Sequence, residues 1–177
     1  LIRVGESYYF RRTIGLSGAE VYVSTVQAHA DGRPDQASTV HVAMSVRAPD
    51  GRPFGIAVID FDLAPEFDRL RADTAEGVQT LVANGAGDYL VHPDRSRELA
   101  SATGARARVQ DDFQGFDEAL AADPALKSNI FRDRNGAWFG VGWAPVRLAG
   151  GPGLTILVTA AYSSLDLGLA AVNSSAQ

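Results

Sequence analysis

Two hydrophobic runs on either side of Asp50-Gly51 constrain the fold of this chain more than any other feature. The run Val40–Ala48 alternates apolar and small or polar residues, and the run Phe54–Phe61 is almost continuously apolar. An Asp-Gly pair between two such runs is typical of a tight hairpin turn. The chain therefore contains an antiparallel sheet. One face of its first strand carries Val40, Val42, Met44 and Val46, and His41 falls on the opposite, polar face.

A second hairpin lies in Gly85–Asp94, where glycines and an aspartate separate the β-rich runs Thr80–Ala83 and Tyr89–Val91. Pro93 ends the second run because proline cannot donate to a β-ladder. We expect Asp94 to cap the turn that follows through its own side chain.

One helix and three strands are predicted after this hairpin. Asp111 or Asp112 caps a helix that continues to about Ala122, with one apolar stripe made by Phe113, Phe116 and Leu120. Three strands then follow at 128–132, 138–148 and 154–162. The segment 95–110 between hairpin and helix is polar and irregular.

The N-terminal part adds a helix end, a strand and a connecting helix. Residues 1–16 resemble the end of a helix, and the valines of 21–26 mark a β-rich run. Pro65 falls in the first turn of a further helix, where its missing N–H costs nothing. The face of that helix toward the core carries Phe67, Leu70 and Arg71.

Composition excludes several classes of function. The 177 residues are 46% hydrophobic, which is enough for a substantial core. The net charge of −5 argues against nucleic-acid binding, which requires a basic face. The chain has no cysteine, so disulfides and cysteine-ligated zinc are excluded. No run approaches the roughly 18 apolar residues of a membrane helix. We read the chain as an excised fragment whose membrane anchors lie outside it.

The order of elements over 78–163 is strand, strand, helix, strand, strand, strand. This is the order of a PAS-like sensor module, one antiparallel sheet with helices on one face. Residues 19–63 show only the last three strands of that order. We therefore predict an α+β fold with two PAS-like modules in tandem, the first N-terminally incomplete. The alternative is that residues 1–63 extend the second module.

At these residues the chain resembles the double Cache (PDC) family of extracytoplasmic sensor domains. No single match is specific, but the matching segments occur in family order. They are Tyr9–Thr13, Glu20–Ser24, Gly51–Asp60, Gly87–Asp94 and Gln110–Phe113.

The resemblance implies four segments along the chain. Residues 1–66 are the C-terminal part of a membrane-distal module, and 67–77 are a connecting helix. Residues 78–163 are the membrane-proximal module, and 164–177 lead toward a transmembrane helix. The first strands of the distal module and a long helix are expected before Leu1.

The resemblance also implies a function. The fragment is expected to be the periplasmic part of an inner-membrane receptor that detects a small molecule, is itself not an enzyme and needs no cofactor. A homodimeric parent protein with flanking transmembrane helices is implied. A two-component histidine kinase is the favoured output, and a diguanylate cyclase or a chemoreceptor is the alternative. A protein-interaction or dimerisation module without a small ligand is the competing hypothesis.

Eight residues are candidates for ligand contact, four in each module. They are Tyr9, Arg12, Tyr22, Ser24, Tyr89, His92, Arg132 and Trp138. In the amino-acid-sensing branch of the family, an arginine and an aspartate occupy the positions that are Ser7 and Ser24 here. We therefore do not predict amino-acid binding.

Other chemistries have weaker support. His29, His41 and His92 have no metal-binding spacing, so no metal site is predicted. Asp60 and Asp62 share a strand face, but they more simply end a strand and cap the next helix. No catalytic residues are predicted. Phe139 and Trp143 share one strand face, which either packs on the helix at 112–122 or lines a pocket beneath it.

Overall fold

A computed structural model describes residues 7–17, 19–26, 38–100, 104–147 and 150–162. Over these residues the chain is α+β, as predicted, and its registered strand pairs are antiparallel. The helices are α1 Tyr8–Thr13, α2 Ala64–Ala72, α3 Val109–Asp112 and α4 Phe116–Ala122, with a short 3-10 helix at Arg95–Arg97. The strands are β1 Val21–Val23, β2 Thr39–Arg47, β3 Pro53–Asp62, β4 Val78–Asn84, β5 Tyr89–Val91, β6 Ser128–Arg132, β7 Trp138–Arg147 and β8 Gly153–Ala161. The predicted exit segment 164–177 lies outside the described residues.

The chain divides into two compact units. Unit 1 comprises residues 1–66 with 147–153, and unit 2 comprises residues 67–146 with 154–177. The boundary falls inside α2, which begins and ends earlier than the connecting helix predicted at 67–77. Unit 1 holds a three-stranded sheet in the order β1-β2-β3, and unit 2 holds a five-stranded sheet in the order β5-β4-β8-β7-β6.

The Asp50-Gly51 hairpin forms as predicted. β2 and β3 pair antiparallel from Thr39 opposite Asp62 to Arg47 opposite Pro53, with a register irregularity at Val46/Arg47. Gly51 has φ +83°, a left-handed conformation that glycine adopts without steric cost.

The valine face of β2 is the more exposed of its two faces. α1 packs on the opposite face, where Ala43 is buried and the Ser45 hydroxyl donates to the Ile14 carbonyl. Met44 on the valine face is 42% exposed, and Ile59 of β3 is 59% exposed. His41 therefore lies under a helix rather than on the open face, because α1 covers the polar side of the strand.

The core of unit 2 fills the layer between its sheet and helices. Phe139 and Trp143 face that layer, where Phe113 and Phe116 pack against them with ring centroids 6.1 and 5.3 Å apart. The packing interpretation of this face is therefore confirmed, and the aromatic rings occupy the space in which a pocket was the alternative. The buried cluster consists of Leu81, Ala83, Tyr89, Ala100, Ala107, Val109, Phe113, Phe116, Phe131, Val141, Trp143 and Leu157.

The prediction of a single helix up to Ala122 is wrong, because the chain forms two short helices there. α3 ends at Asp112, and α4 begins at Phe116 after Gly115 adopts φ +81°. Asp112 does not cap a helix start, since its side chain is buried and points to Tyr89. The left-handed glycine breaks the helix there and lets both Phe113 and Phe116 reach the core.

Candidate functional site

Unit 1 presents aromatic and charged side chains on the face of its sheet that carries α1. The Tyr9 ring lies 5.1 Å from the His41 ring, and His41 Nδ1 lies 2.7 Å from Asp60 Oδ1. Because a carboxylate can only accept, the His41 Nδ1 carries the proton in this hydrogen bond. On the same side, the Tyr8 ring lies 6.4 Å from that of Tyr22.

Arg12 extends this cluster with a positive charge. Its guanidinium carbon lies 5.1 Å from the centroid of the Tyr8 ring, within cation–π distance. Burial and the neighbouring Tyr8 raise the pKa of Tyr22, while Arg12 lowers it to a smaller extent. Tyr22 therefore keeps its phenol proton and can act as a hydrogen-bond donor.

Ser24 belongs to the same unit but is used by the backbone. Its hydroxyl accepts from the His41 N–H at 2.9 Å and donates to the Thr25 carbonyl at 2.8 Å. The side chain is fully buried, so its role in this structure is to extend the β1–β2 pairing.

Unit 2 contains a buried polar cluster around Asp112. The Tyr89 hydroxyl donates to Asp112 Oδ2 at 2.8 Å, and Arg97 donates to both carboxylate oxygens at 2.7 and 2.6 Å. The Arg97 guanidinium also lies over the Tyr89 ring, 5.2 Å from its centroid. Burial and the Asp112 charge raise the pKa of Tyr89, and the bond to Asp112 raises the pKa of Arg97.

His92 lies beside this cluster as a neutral ring. Its centroid is 4.7 Å from that of Tyr89, and its Nε2 is 3.2 Å from Arg97 Nη1. Its Nδ1 is 2.9 Å from the Asp94 backbone N–H. The Asp94 carbonyl oxygen also lies 3.2 Å from Nδ1, so a neutral ring with its proton on Nδ1 can donate there while Nε2 accepts from Arg97. Burial, and then the Arg97 charge, lower the pKa of His92.

The turn after β5 is held at both ends. Asp94 caps the 3-10 helix as predicted, with Oδ1 accepting from the Ser96 N–H at 3.0 Å. The Ser96 hydroxyl, and then this bond from the Ser96 N–H, lower the pKa of Asp94. At the far end, Glu98 Oε1 accepts from the His92 N–H at 2.7 Å and from Arg71 of α2 at 2.5 Å.

Arg132 and Trp138 lie apart from that cluster. They are opposite each other in the β6–β7 pair, with the Arg132 guanidinium 4.5 Å from the Trp138 ring centroid. Phe131, the neighbour of Arg132, is buried in the core, so Arg132 points to the other face of the sheet. Trp138 is 47% exposed there.

A shallow groove of about 440 Å³ also lies on the sheet of unit 2, and it contains none of the eight predicted residues. Its lining has no charged side chain and consists of Val78, Ser128, Asn129, Ile130, Gly140, Val141, Gly142, Val158 and Ala160. In the described part of the chain, no three His, Asp or Glu side chains are grouped so as to hold a metal. None of the helices described there is long and apolar enough to cross a membrane.

Sequence reasoning missed four polar residues of these clusters as site members. Arg97 lies in the segment 95–110, which is predicted to be irregular, and Asp112 is predicted only as a possible helix cap. His41 and Asp60 were treated separately, although the register of the β2–β3 hairpin puts them opposite each other. That register was the one signal that could have paired them.

Comparison with solved structures finds the same fold in sensor domains. The ligand-binding domain of the Pseudomonas aeruginosa PAO1 amino acid chemoreceptor PctC, in complex with GABA, aligns with a TM-score of 0.63 and 16% identity over 90% of this chain and 62% of that chain. The periplasmic sensory domain of the Campylobacter jejuni chemoreceptor Tlp1 aligns with a TM-score of 0.66 and 16% identity over 91% of this chain and 57% of that chain.

The extracellular domain of the histidine kinase vpHK1S-Z8 aligns with a TM-score of 0.66 and 12% identity over 89% of this chain and 56% of that chain. The chain thus spans between 56% and 62% of the length of these three. No protein-family model and no curated protein sequence matches it. The fold is that of the extracytoplasmic sensor domains of chemoreceptors and histidine kinases, as the resemblance to Cache domains implied.

Proposed function

We propose that this chain is the extracytoplasmic sensory part of a membrane receptor, which detects a small molecule and passes the signal to a cytoplasmic output domain. The observation that carries the proposal is the fold shared with PctC, a ligand-binding domain, over 90% of the chain. The neighbours are sensor domains rather than enzymes, which supports a non-enzymatic role. A homodimeric histidine kinase, with transmembrane helices on either side of this segment, is the parent protein we favour.

We propose further that unit 1 is the C-terminal part of a membrane-distal PAS-like module and unit 2 is the complete proximal one. Unit 1 repeats, as β1-β2-β3, the neighbour order of β6-β7-β8 in unit 2. In unit 2, β8 is paired on its other edge with β4, whereas β3 has only β2 beside it among the described strands. A strand from another part of the parent protein would pair with this edge and continue the sheet.

The ligand is proposed to contact the α1 face of unit 1. Tyr9 and Tyr22 offer aromatic faces and phenol groups there, and Arg12 offers a positive charge. The exposed Asp60 carboxylate, held by His41, adds an acceptor. Ligand sites of this kind combine aromatic walls with a few polar groups that fix orientation.

A thermal-shift screen of organic acids, amino acids, amines and nucleobases tests this proposal, with the segment that precedes this chain in the parent protein included. A ligand that binds only the folded state raises the melting temperature by mass action. We expect one chemical class to raise it, and Arg12→Gln to reduce the rise. The matched control is Arg132→Gln. It also removes a guanidinium from an aromatic ring, but on the face of the unit 2 sheet opposite the core. An equal loss in both variants would contradict the assignment to unit 1.

The second candidate function is a protein-interaction or dimerisation module. The edge of β3 that has no neighbour among the described strands favours it, because an unpaired strand edge is a template for pairing with another chain. Phe54, at 81% exposed, and Phe61, at 50%, lie on that strand. Sedimentation velocity separates the two functions: a monomer that binds a compound supports sensing, and a dimer that binds none supports the interaction module.

A further inference from the structure

The Arg97 side chain of unit 2 is held as a bound ligand would be. Only 14% of its side chain is exposed, and the Asp112 side chain that it contacts is 11% exposed. The guanidinium donates to both oxygens of Asp112, lies against the Tyr89 ring and donates toward His92 Nε2. A paired carboxylate and an aromatic face are the two elements that recognise a planar guanidinium most specifically.

The groups that hold Arg97 come from other parts of unit 2. Tyr89 lies on β5 and Asp112 ends α3, whereas Arg97 ends the 3-10 helix after the turn. Tyr89 is fully buried within the hydrophobic core, and its hydroxyl donates to Asp112 and holds that side chain in place. The receiving groups are therefore fixed by the core, while the guanidinium reaches them on a long side chain from a surface turn.

We propose that Tyr89, His92 and Asp112 form a guanidinium-binding site and that Arg97 is a tethered ligand that fills it. The site takes an alkylguanidinium cation, and in the wild-type protein the chain supplies that cation itself. This explains why the polar atoms of Tyr89 and His92, two of the predicted ligand contacts, are already engaged. This guanidinium site forms within unit 2 whether or not unit 1 binds a small molecule.

Occupancy of this site is linked to α2 through the next residue. Glu98 follows Arg97 and accepts from Arg71 of α2 through both Nε and Nη2, at 3.1 and 2.5 Å. Asp68 of α2 accepts from Arg95 at 2.6 Å. The turn at 94–98 is thus attached to α2 on one side and to the core on the other. Release of Arg97 would remove its contacts with Tyr89, His92 and Asp112, while the bonds of Glu98 to Arg71 and to the His92 N–H remained.

Chemical rescue tests the proposal. Arg97→Ala removes the tethered guanidinium and leaves Tyr89, His92 and Asp112 in place. We expect methylguanidinium at millimolar concentration to raise the melting temperature of this variant saturably and to leave the wild-type value unchanged. Methylammonium at equal ionic strength is the probe control, because it carries the charge without the planar fork.

Two further variants define the site. Arg95→Ala is the matched control, since Arg95 is 62% exposed and forms its ion pair with the exposed Asp68. We expect it to gain no response to methylguanidinium. Arg97→Ala with Asp112→Asn removes the carboxylate as well. Its affinity for methylguanidinium should fall at least about tenfold below that of Arg97→Ala, because a charged hydrogen bond is lost.

The response of the variants to methylguanidinium decides whether Tyr89, His92 and Asp112 form a binding site. A saturable, Asp112-dependent response confined to Arg97→Ala supports the proposal, and an equal response in the wild-type protein or in Arg95→Ala overturns it. If Arg97→Ala does not fold alone, the readout becomes recovery of the folded circular-dichroism spectrum when methylguanidinium is added. Failure to recover it, with the spectrum of Arg97→Lys remaining native, also overturns the proposal.

Discussion

Replacing Asp112 by asparagine should strongly destabilise unit 2, because it leaves the largely buried Arg97 guanidinium without its carboxylate. The substitution keeps the shape of the side chain and an acceptor for the Tyr89 hydroxyl, but it removes the charge that Arg97 faces. Both side chains are largely buried, so water compensates the guanidinium only in part. Breaking a buried ion pair by removing one partner costs about 3–5 kcal/mol.

That cost is large compared with the stability of a typical domain, about 5–15 kcal/mol. With a denaturant slope of about 2 kcal/mol per molar, it lowers the midpoint of urea unfolding by about 1.5–2.5 M. Trp143 reports on the transition because it is 6% exposed in the core of unit 2. A Trp138→Phe background removes the other tryptophan of the chain from the signal.

The neighbouring carboxylate provides the matched control. Asp111 is 37% exposed and its contacts with Arg106 and Arg108 are 3.6 and 3.5 Å long. Exposed pairs of this kind contribute about 0–1 kcal/mol, so Asp111→Asn should barely move the midpoint. Equal midpoints for Asp111→Asn and Asp112→Asn would refute the account of the buried pair. The double replacement of Arg97 by Met and Asp112 by Asn should recover most of the lost stability, since no buried charge is left unpaired and the Tyr89 hydroxyl keeps an acceptor.

Three other substitutions test separate parts of the structure. The pKa of His92 is lowered in the folded state, so the unfolded chain takes up a proton at this residue first as pH falls below about 6.5, and stability should decrease on acidification. In His92→Gln the urea midpoint should decrease less between neutral and acidic pH. A midpoint that depends on pH as in the wild type would refute this. Gly115→Ala should cost about 1–2 kcal/mol because φ is +81° while the added carbon has free space, whereas Gly142→Ala, without positive φ, should cost less; equal costs by urea unfolding would contradict the strain argument. Ile59→Ser should change stability by less than about 0.5 kcal/mol and reduce self-association in sedimentation velocity, and a large loss of stability would mean that this face is covered.

The strands could be predicted from the sequence because their signals are local. Asp50-Gly51 and the turn before Tyr89 lie between runs of apolar residues, and the hairpins follow from turn chemistry alone. The break between α3 and α4 could not be predicted in this way, since Phe113, Phe116 and Leu120 fit a helical stripe across Gly115. Burial of both phenylalanines from two short helices is a tertiary outcome that the stripe does not encode.

The candidate sites were less predictable than the strands. Tyr89 and His92 come from one short segment, so their proximity follows from the β5 turn. Arg97 and Asp112 meet Tyr89 only because the chain folds back after the polar stretch, a contact that depends on the packed core. Arg132 and Trp138 are also predicted ligand contacts. Because Phe131 is buried in the core and side chains alternate along β6, Arg132 lies on the face of the sheet opposite the Tyr89 cluster.

The proposed binding of a small molecule to the α1 face of unit 1 can be tested directly by calorimetric titration. The compound that stabilises the protein most is titrated into the wild type and into Tyr9→Ala. We predict saturable binding at one site per chain, lost or greatly weakened in the variant. Binding of equal strength to both proteins, or no saturable heat from any compound, would contradict the claim.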